Sequence, residues 1–120
     1  MTDYPFKART VFLILNKKPE EALKHLSSFY KIQPPKMKIG MPKGNRRKFG
    51  CYNTNKKTIH FYNQDAFYNP HVVLHEFYHH LRSISGKHKG SERLANLFAR
   101  EFLKDFKRTG EIFSVTQDSP

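Results

Sequence analysis

Several absences narrow the reading of this chain before any motif is sought. It has a single cysteine, Cys51, which excludes an intrachain disulfide and any cysteine-rich zinc site and agrees with a reducing, cytoplasmic setting. It has no long apolar run. The longest, Val11-Phe12-Leu13-Ile14-Leu15, is too short for a membrane span or a signal-peptide core, so no membrane partner is expected. No acidic residue stands between Glu21 and Asp65, an interval that holds Lys24, Lys31, Lys36, Lys38, Lys43, Arg46, Arg47, Lys48, Lys56 and Lys57. Tryptophan, internal repeats and low-complexity segments are missing as well. What remains is 120 residues, 38% hydrophobic and 14% aromatic, which supplies one small core and one domain. The excess of 22 Lys and Arg over 10 Asp and Glu gives +12, a charge that favours polyanion binding and says nothing about fold.

The short β-branched and aromatic run from Arg9 to Leu15, ending at Asn16-Lys17-Lys18, predicts a buried strand. Pro19 suits the first turn of a helix whose positive end carries Glu20 and Glu21. Ala22, Leu23, Leu26, Phe29 and Tyr30 recur there at helical spacing, and Pro34-Pro35 ends it. Lys36 to Ile39 reads as a short strand and Gly40 to Gly44 as a loop. Lys48 to Tyr52 and Lys57 to Tyr62 then form a hairpin turning at Asn53-Thr54-Asn55. Asn69 as cap and Pro70 at the first helical position open a helix with the apolar stripe Leu74, Phe77, Leu81 and Ile84, broken by Gly86 to Gly90. Ser91 caps a last helix running to about Arg108, with Leu94, Ala95, Phe98, Phe102 and Phe106 inward. The order predicts an α+β domain: an N-terminal strand and helix, a small antiparallel or mixed sheet of about three strands, then two helices. Residues 1–109 would form the domain and 110–120 a C-terminal tail.

The segment that carries chemistry is His75-Glu76-Phe77-Tyr78-His79, a His-Glu-x-x-His motif inside the best-capped helix. Chance places roughly 0.02 such matches in a chain of this composition. Residues four apart share one helix face, so both imidazoles can reach one ion. A catalytic zinc takes three protein ligands and a water. Glu76, at the edge of that face, can reach the water without ligating the metal, as a general base must. The longer zinc-peptidase signature with a further Gly and a third His is excluded, because Arg82 and Ser85 stand at those positions. The third ligand is then His88, in the basic loop Gly86-Lys87-His88-Lys89-Gly90, or Glu92, at the start of the next helix.

Glu92-Arg93-Leu94-Ala95-Asn96-Leu97-Phe98-Ala99 resembles the Glu-x-x-Ala-Asn-x-Phe-Ala signature that follows the motif helix in compact gluzincin metallopeptidases, the minigluzincins and ImmA/IrrE-type proteins. The resemblance spans residues from about 47 to 108. It implies a zinc-dependent peptidase with one zinc ion per chain held by His75, His79 and Glu92, with Glu76 as catalytic base and a protein or peptide as substrate. The small Ala95 and Ala99 allow the two site helices to approach closely. Asn96, one turn after Glu92, can hydrogen-bond a ligand from outside the metal's own shell.

Other residues have candidate roles around this site. His80, next to a ligand, reads as a packed or exposed histidine. In gluzincins the rim strand runs beside the cleft and pairs with an extended substrate, which makes His60, Tyr62 or Tyr68 candidate oxyanion donors. Residues 110–120, with Asp118, could lie over the cleft and hold the enzyme latent. Lys36, Lys38, Lys43, Arg46, Arg47 and Lys48, interleaved with aromatic residues, form a candidate nucleic-acid patch. The alternative functions are therefore a nucleic-acid-binding or regulatory module that retains the metal site, or a DNA-associated protease of the SprT type using His88.

Overall fold

A computed structural model describes residues 4–42, 49–86 and 90–117. Its first element departs from the sequence expectation: Tyr4–Leu15 is a helix, α1, and Arg9 to Leu15 is no strand. Ala8, Val11 and Ile14 are buried three apart, while Phe12 and Leu15 are about half exposed. That is the period of a helix with one face inward. A short apolar run is where periodicity fails to separate a strand from a buried helix, and the neighbours decide. Those neighbours are the helices α2 (Pro19–Tyr30), α4 (Pro70–Ser85) and α5 (Glu92–Gln117). Thr10, fully buried, turns its hydroxyl onto the Phe6 carbonyl at 3.0 Å, so its polar group is satisfied within the helix.

Helix α2 starts at Pro19 as predicted, buries Ala22, Leu23 and Leu26, and ends at Lys31 in the left-handed region, φ 59°. Three strands follow: β1 (Lys36–Ile39), β2 (Gly50–Asn53) and β3 (Thr58–Phe61). Their order is β1-β3-β2, with β3 parallel to β1 and antiparallel to β2. The fold is thus α+β with a mixed three-stranded sheet. Ile59 and Phe61 on central β3 are fully buried in the core shared with α4, so the alternation along the strand turns His60 to the opposite face. Asn53 Oδ1 accepts from the Lys56 amide at 3.0 Å and tightens the β2–β3 connection.

One turn of helix, α3 (Gln64–Phe67), was not predicted from the sequence; Asn63 caps it, accepting from the Ala66 amide at 2.9 Å. In α4 the side chain of Asn69 accepts from the amides of His71 and Val72, Pro70 opens the first turn, and Gly86 at φ 67° closes the helix. Leu74, Phe77 and Leu81 are buried as the stripe requires, but Ile84 near the end is 39% exposed. Ser91 Oγ accepts from the Leu94 amide at 3.0 Å ahead of α5. Helix α5 runs past Arg108 to Gln117, so the backbone of residues 110–117 continues the helix where a tail was expected. Asp118 lies outside the described residues. Among these residues no helix is long and apolar enough to cross a membrane. Ala95 and Ala99 have no exposed surface, and α5 packs through them and Phe102 against α4 and α1.

Candidate metal centre

The two helices with the strongest capping signals bring the chemistry together. His75 and His79 project from the same face of α4 with ring centroids 5.1 Å apart. Glu92, in the first turn of α5, sets its carboxylate between them: Oε2 is 2.9 Å from His75 Nε2 and Oε1 is 3.0 Å from His79 Nε2. Ligand atoms of all three residues lie within 4.8 Å of one another, a group that could hold a metal ion. Asn96, one turn along α5, accepts from His75 Nδ1 at 2.8 Å. An amide oxygen can only accept, so Nδ1 carries a proton, and Nε2 is the nitrogen that would offer its lone pair to a metal. The same Asn96 oxygen also accepts from His71 Nε2 at 3.2 Å. His71 escaped the sequence reading, although its spacing of four before His75 placed it in the same row.

Glu76 is buried, 6% exposed, and its Oε2 lies 3.9 Å from His75 Nε2. It is reached through Gly50 of β2. A Cβ on Gly50 would come within 3.0 Å of Val72 Cγ1 and 3.2 Å of Glu76 Cγ, so the absence of a side chain lets the strand lie against the helix. Strand β2 is a sheet edge. The amide of Tyr62 donates to the Phe49 carbonyl at 2.8 Å, and by antiparallel alternation Cys51 and Asn53 also bond toward β3. The backbone groups of Gly50 and Tyr52 therefore face the open edge, beside the candidate centre.

Two depressions meet at this point. One, of about 460 Å³, is walled by β2, the 54 loop and Arg82, with Glu76, His79 and Glu92 at its floor. The other, of about 260 Å³, lies on the opposite side of Glu76 and Glu92 and is walled by Phe49, Val72, His71 and Asn96.

Burial holds the His79 imidazole below the ordinary histidine value; Glu92 partly offsets this, while His75 and Arg82 add to the lowering. His80, the neighbour of a candidate ligand, is a packed histidine with 1% exposure. Its Nε2 lies 2.7 Å from the Gln33 carbonyl, to which it donates, and its Nδ1 lies 2.7 Å from the Tyr52 hydroxyl, from which it accepts. Burial lowers its pKa, against the Gln33 hydrogen bond, and Lys57 lowers it further. Burial also lowers His25, against a hydrogen bond with the Phe6 backbone, and Arg9 lowers it further; its ring lies tilted against Phe6 with centroids 4.9 Å apart.

These lowered values set a pH dependence. A histidine whose folded pKa lies below its unfolded value of about 6.5 binds its proton more readily in the unfolded chain. Stability is then full above about pH 6.5 and is lost as the pH falls through that value toward the folded-state values. The metal-free protein should melt several degrees lower at about pH 5.5 than at about pH 7.5. A flat melting temperature across that range would contradict the burial of these rings in neutral form.

The remaining sequence candidates fall elsewhere. The rim strand beside the cleft is β2; the strand bearing His60 is the central one, because β1 adds in parallel to its far side. His60 bonds through Nδ1 with the Gly40 carbonyl at 3.2 Å, on the sheet face away from α4. There it shares a groove with Lys36 and Lys38 of β1. Tyr62 is half exposed just beyond β3. Tyr68 accepts from Gln64 Nε2 and lies under Lys17, and neither tyrosine lines the two depressions. Lys43, Arg46, Arg47, Lys48 and His88 lie outside the described residues.

Compared with known proteins, the chain matches no family model, no curated protein and no solved structure.

Proposed function

We propose that the protein is a zinc-dependent peptidase of the compact gluzincin type, with His75, His79 and Glu92 holding one zinc ion and Glu76 acting as general base. The observation that carries this reading is the convergence of two imidazole nitrogens and one carboxylate beside a buried glutamate that is not itself one of the three. Donors about 2.0–2.1 Å from a tetrahedral zinc stand about 3.3–3.4 Å apart. The histidine–glutamate separations of 2.9 and 3.0 Å are close to that, so small side-chain adjustments admit the ion. A bound zinc lowers the pKa of water toward neutrality and polarises a carbonyl oxygen.

The chain's own residues supply the rest. Glu76 takes the proton of the attacking water and returns it to the leaving amine. Asn96 keeps His75 in the tautomer that ligates. The Gly50 and Tyr52 backbone groups offer an extended peptide a strand to pair with, which lays a scissile bond across the two depressions.

Elemental analysis tests the reading. Wild-type protein should carry about one zinc per chain, Glu92→Ala far less, and His88→Ala as much as wild type. Absence of zinc from the wild type after reconstitution would overturn the proposal. Loss with His88→Ala and retention with Glu92→Ala would move the third ligand to the α4–α5 loop and favour the SprT-type alternative.

A further inference from the structure

Among the described residues, the two depressions flanking Glu76 differ in one cationic side chain, Arg82. Arg82 lies on α4 one turn beyond His79, so the 1.5 Å rise per residue carries it about 4.5 Å further along the cleft. It lines the larger depression together with Glu76, His79 and Glu92. Its side chain lies against Gly90, two residues ahead of Glu92; a Cβ at that position would fall on the Nε, Cδ and Cζ atoms of Arg82. Glycine there makes room for the guanidine group between the end of α4 and the start of α5. Among the described residues the ion pairs are His75 with Glu76 and Glu92, and His79 with Glu92; none uses Arg82. Among the described residues, those lining the opposite depression include no lysine or arginine and present Phe49, 72% exposed, and Val72.

We infer that Arg82 forms an anion subsite that holds a carboxylate of the peptide on one side of the scissile bond, so that the enzyme selects acidic substrates. This rests on the peptidase reading. An extended peptide paired with β2 advances about 3.3–3.4 Å per residue along the cleft, with its side chains on alternate faces. A carboxylate one or two residues from the bond then falls within reach of the guanidinium fork, which binds it in bidentate fashion. On the other side the described lining residues include Phe49 and Val72, which favour an apolar side chain. The selection is therefore positional, distinct from the general attraction of a +12 chain for anything negative.

The test uses full-length, zinc-loaded Glu76→Gln protein and fluorescent peptides with amidated C-termini, in which one Glu is moved through the sequence and compared with Gln at each position. A further peptide carries a free C-terminal carboxylate in place of the Glu. Anisotropy should show roughly tenfold tighter binding for Glu at one or two adjacent positions. A second substitution, Arg82→Gln, should erase that ratio, and Arg82→Glu should invert it in favour of Lys. Equal zinc content and melting temperature in all three proteins establish that each is folded. A preference seen only with the free terminus identifies the carboxylate as a chain end; one seen with the amidated series identifies a side chain. A Glu-to-Gln ratio within about twofold at every position, a preference that survives Arg82→Gln, or no binding of any peptide would overturn the inference. Digestion of the same peptides by wild-type protein separates the two readings. Cleavage without an acidic preference removes the subsite and leaves the peptidase, whereas Arg82-dependent binding without cleavage leaves the subsite and removes the peptidase.

Discussion

Glu76→Gln protein should bind one zinc per chain like the wild type and hydrolyse peptides between about 10² and 10⁴ times more slowly. The two halves of this expectation come from separate facts. Zinc binding is retained because the three converging donors belong to His75, His79 and Glu92, and the amide keeps the shape that Glu76 packs against Gly50. Activity is lost because an amide cannot take up the water's proton. The buried position makes the substitution informative. With 6% exposure, Glu76 cannot be replaced as base by bulk water at the same spot. Glu92→Ala makes the contrast, since it should lose metal and activity together. Undiminished cleavage by purified Glu76→Gln protein would remove Glu76 from the reaction; loss of zinc with that substitution would make it a ligand instead.

The parts of the site that could be read from the sequence are those written in local spacing. His75 and His79 are four apart on a helix announced by Asn69 and Pro70, so these two donors follow from short-range rules; spacing left Glu92 level with His88, and the resemblance to the gluzincin signature separated them. Asn96 was legible from spacing as well, one turn from Glu92. His71 obeys that rule too, four before His75, but lies outside the motif that marks the other two histidines. The errors lie where tertiary partners decide. Arg9 to Leu15 has the composition of a strand, but it has helices to pack against, and its buried set Ala8, Val11 and Ile14 follows them. The rim position could not be assigned from strand order in the sequence. β1 reaches the sheet by a parallel connection to the last strand, which moves β3 to the centre, and alternation with the buried Ile59 and Phe61 turns His60 to the face away from α4. In the sequence Arg82 carries no signal beyond breaking a longer signature. Its place in the cleft depends on Gly90, eight positions on, and nothing in local spacing ties the two.

The same limit applies to His80, whose partners are 28 and 47 residues away, and it is here that the largest loss of stability is expected. His80→Leu should destabilise the protein by about 2–5 kcal/mol. The ring is 1% exposed and uses both nitrogens, one to the Gln33 carbonyl beyond α2 and one to the Tyr52 hydroxyl on β2. Leucine fills most of the volume but leaves the Gln33 carbonyl without its donor, at about 1–3 kcal/mol if it stays buried, and takes His80 from the Tyr52 hydroxyl, which keeps Ser83. Tyr52→Phe leaves the His80–Gln33 bond in place and should cost less, about 1 kcal/mol. The double variant should be more stable than the sum of the two losses predicts, because the bond between Tyr52 and His80 can be lost only once; urea denaturation of the four proteins gives that coupling directly. An additive cycle would mean that Tyr52 and His80 do not act as a pair. The consequence reaches the site, because Tyr52 stands on the edge strand that borders the cleft, and His80 follows His79 on α4. Through this bond the helix that carries the two histidines and the strand that would receive the peptide are held in one register, so zinc retention in Tyr52→Phe should be intact while peptide binding weakens.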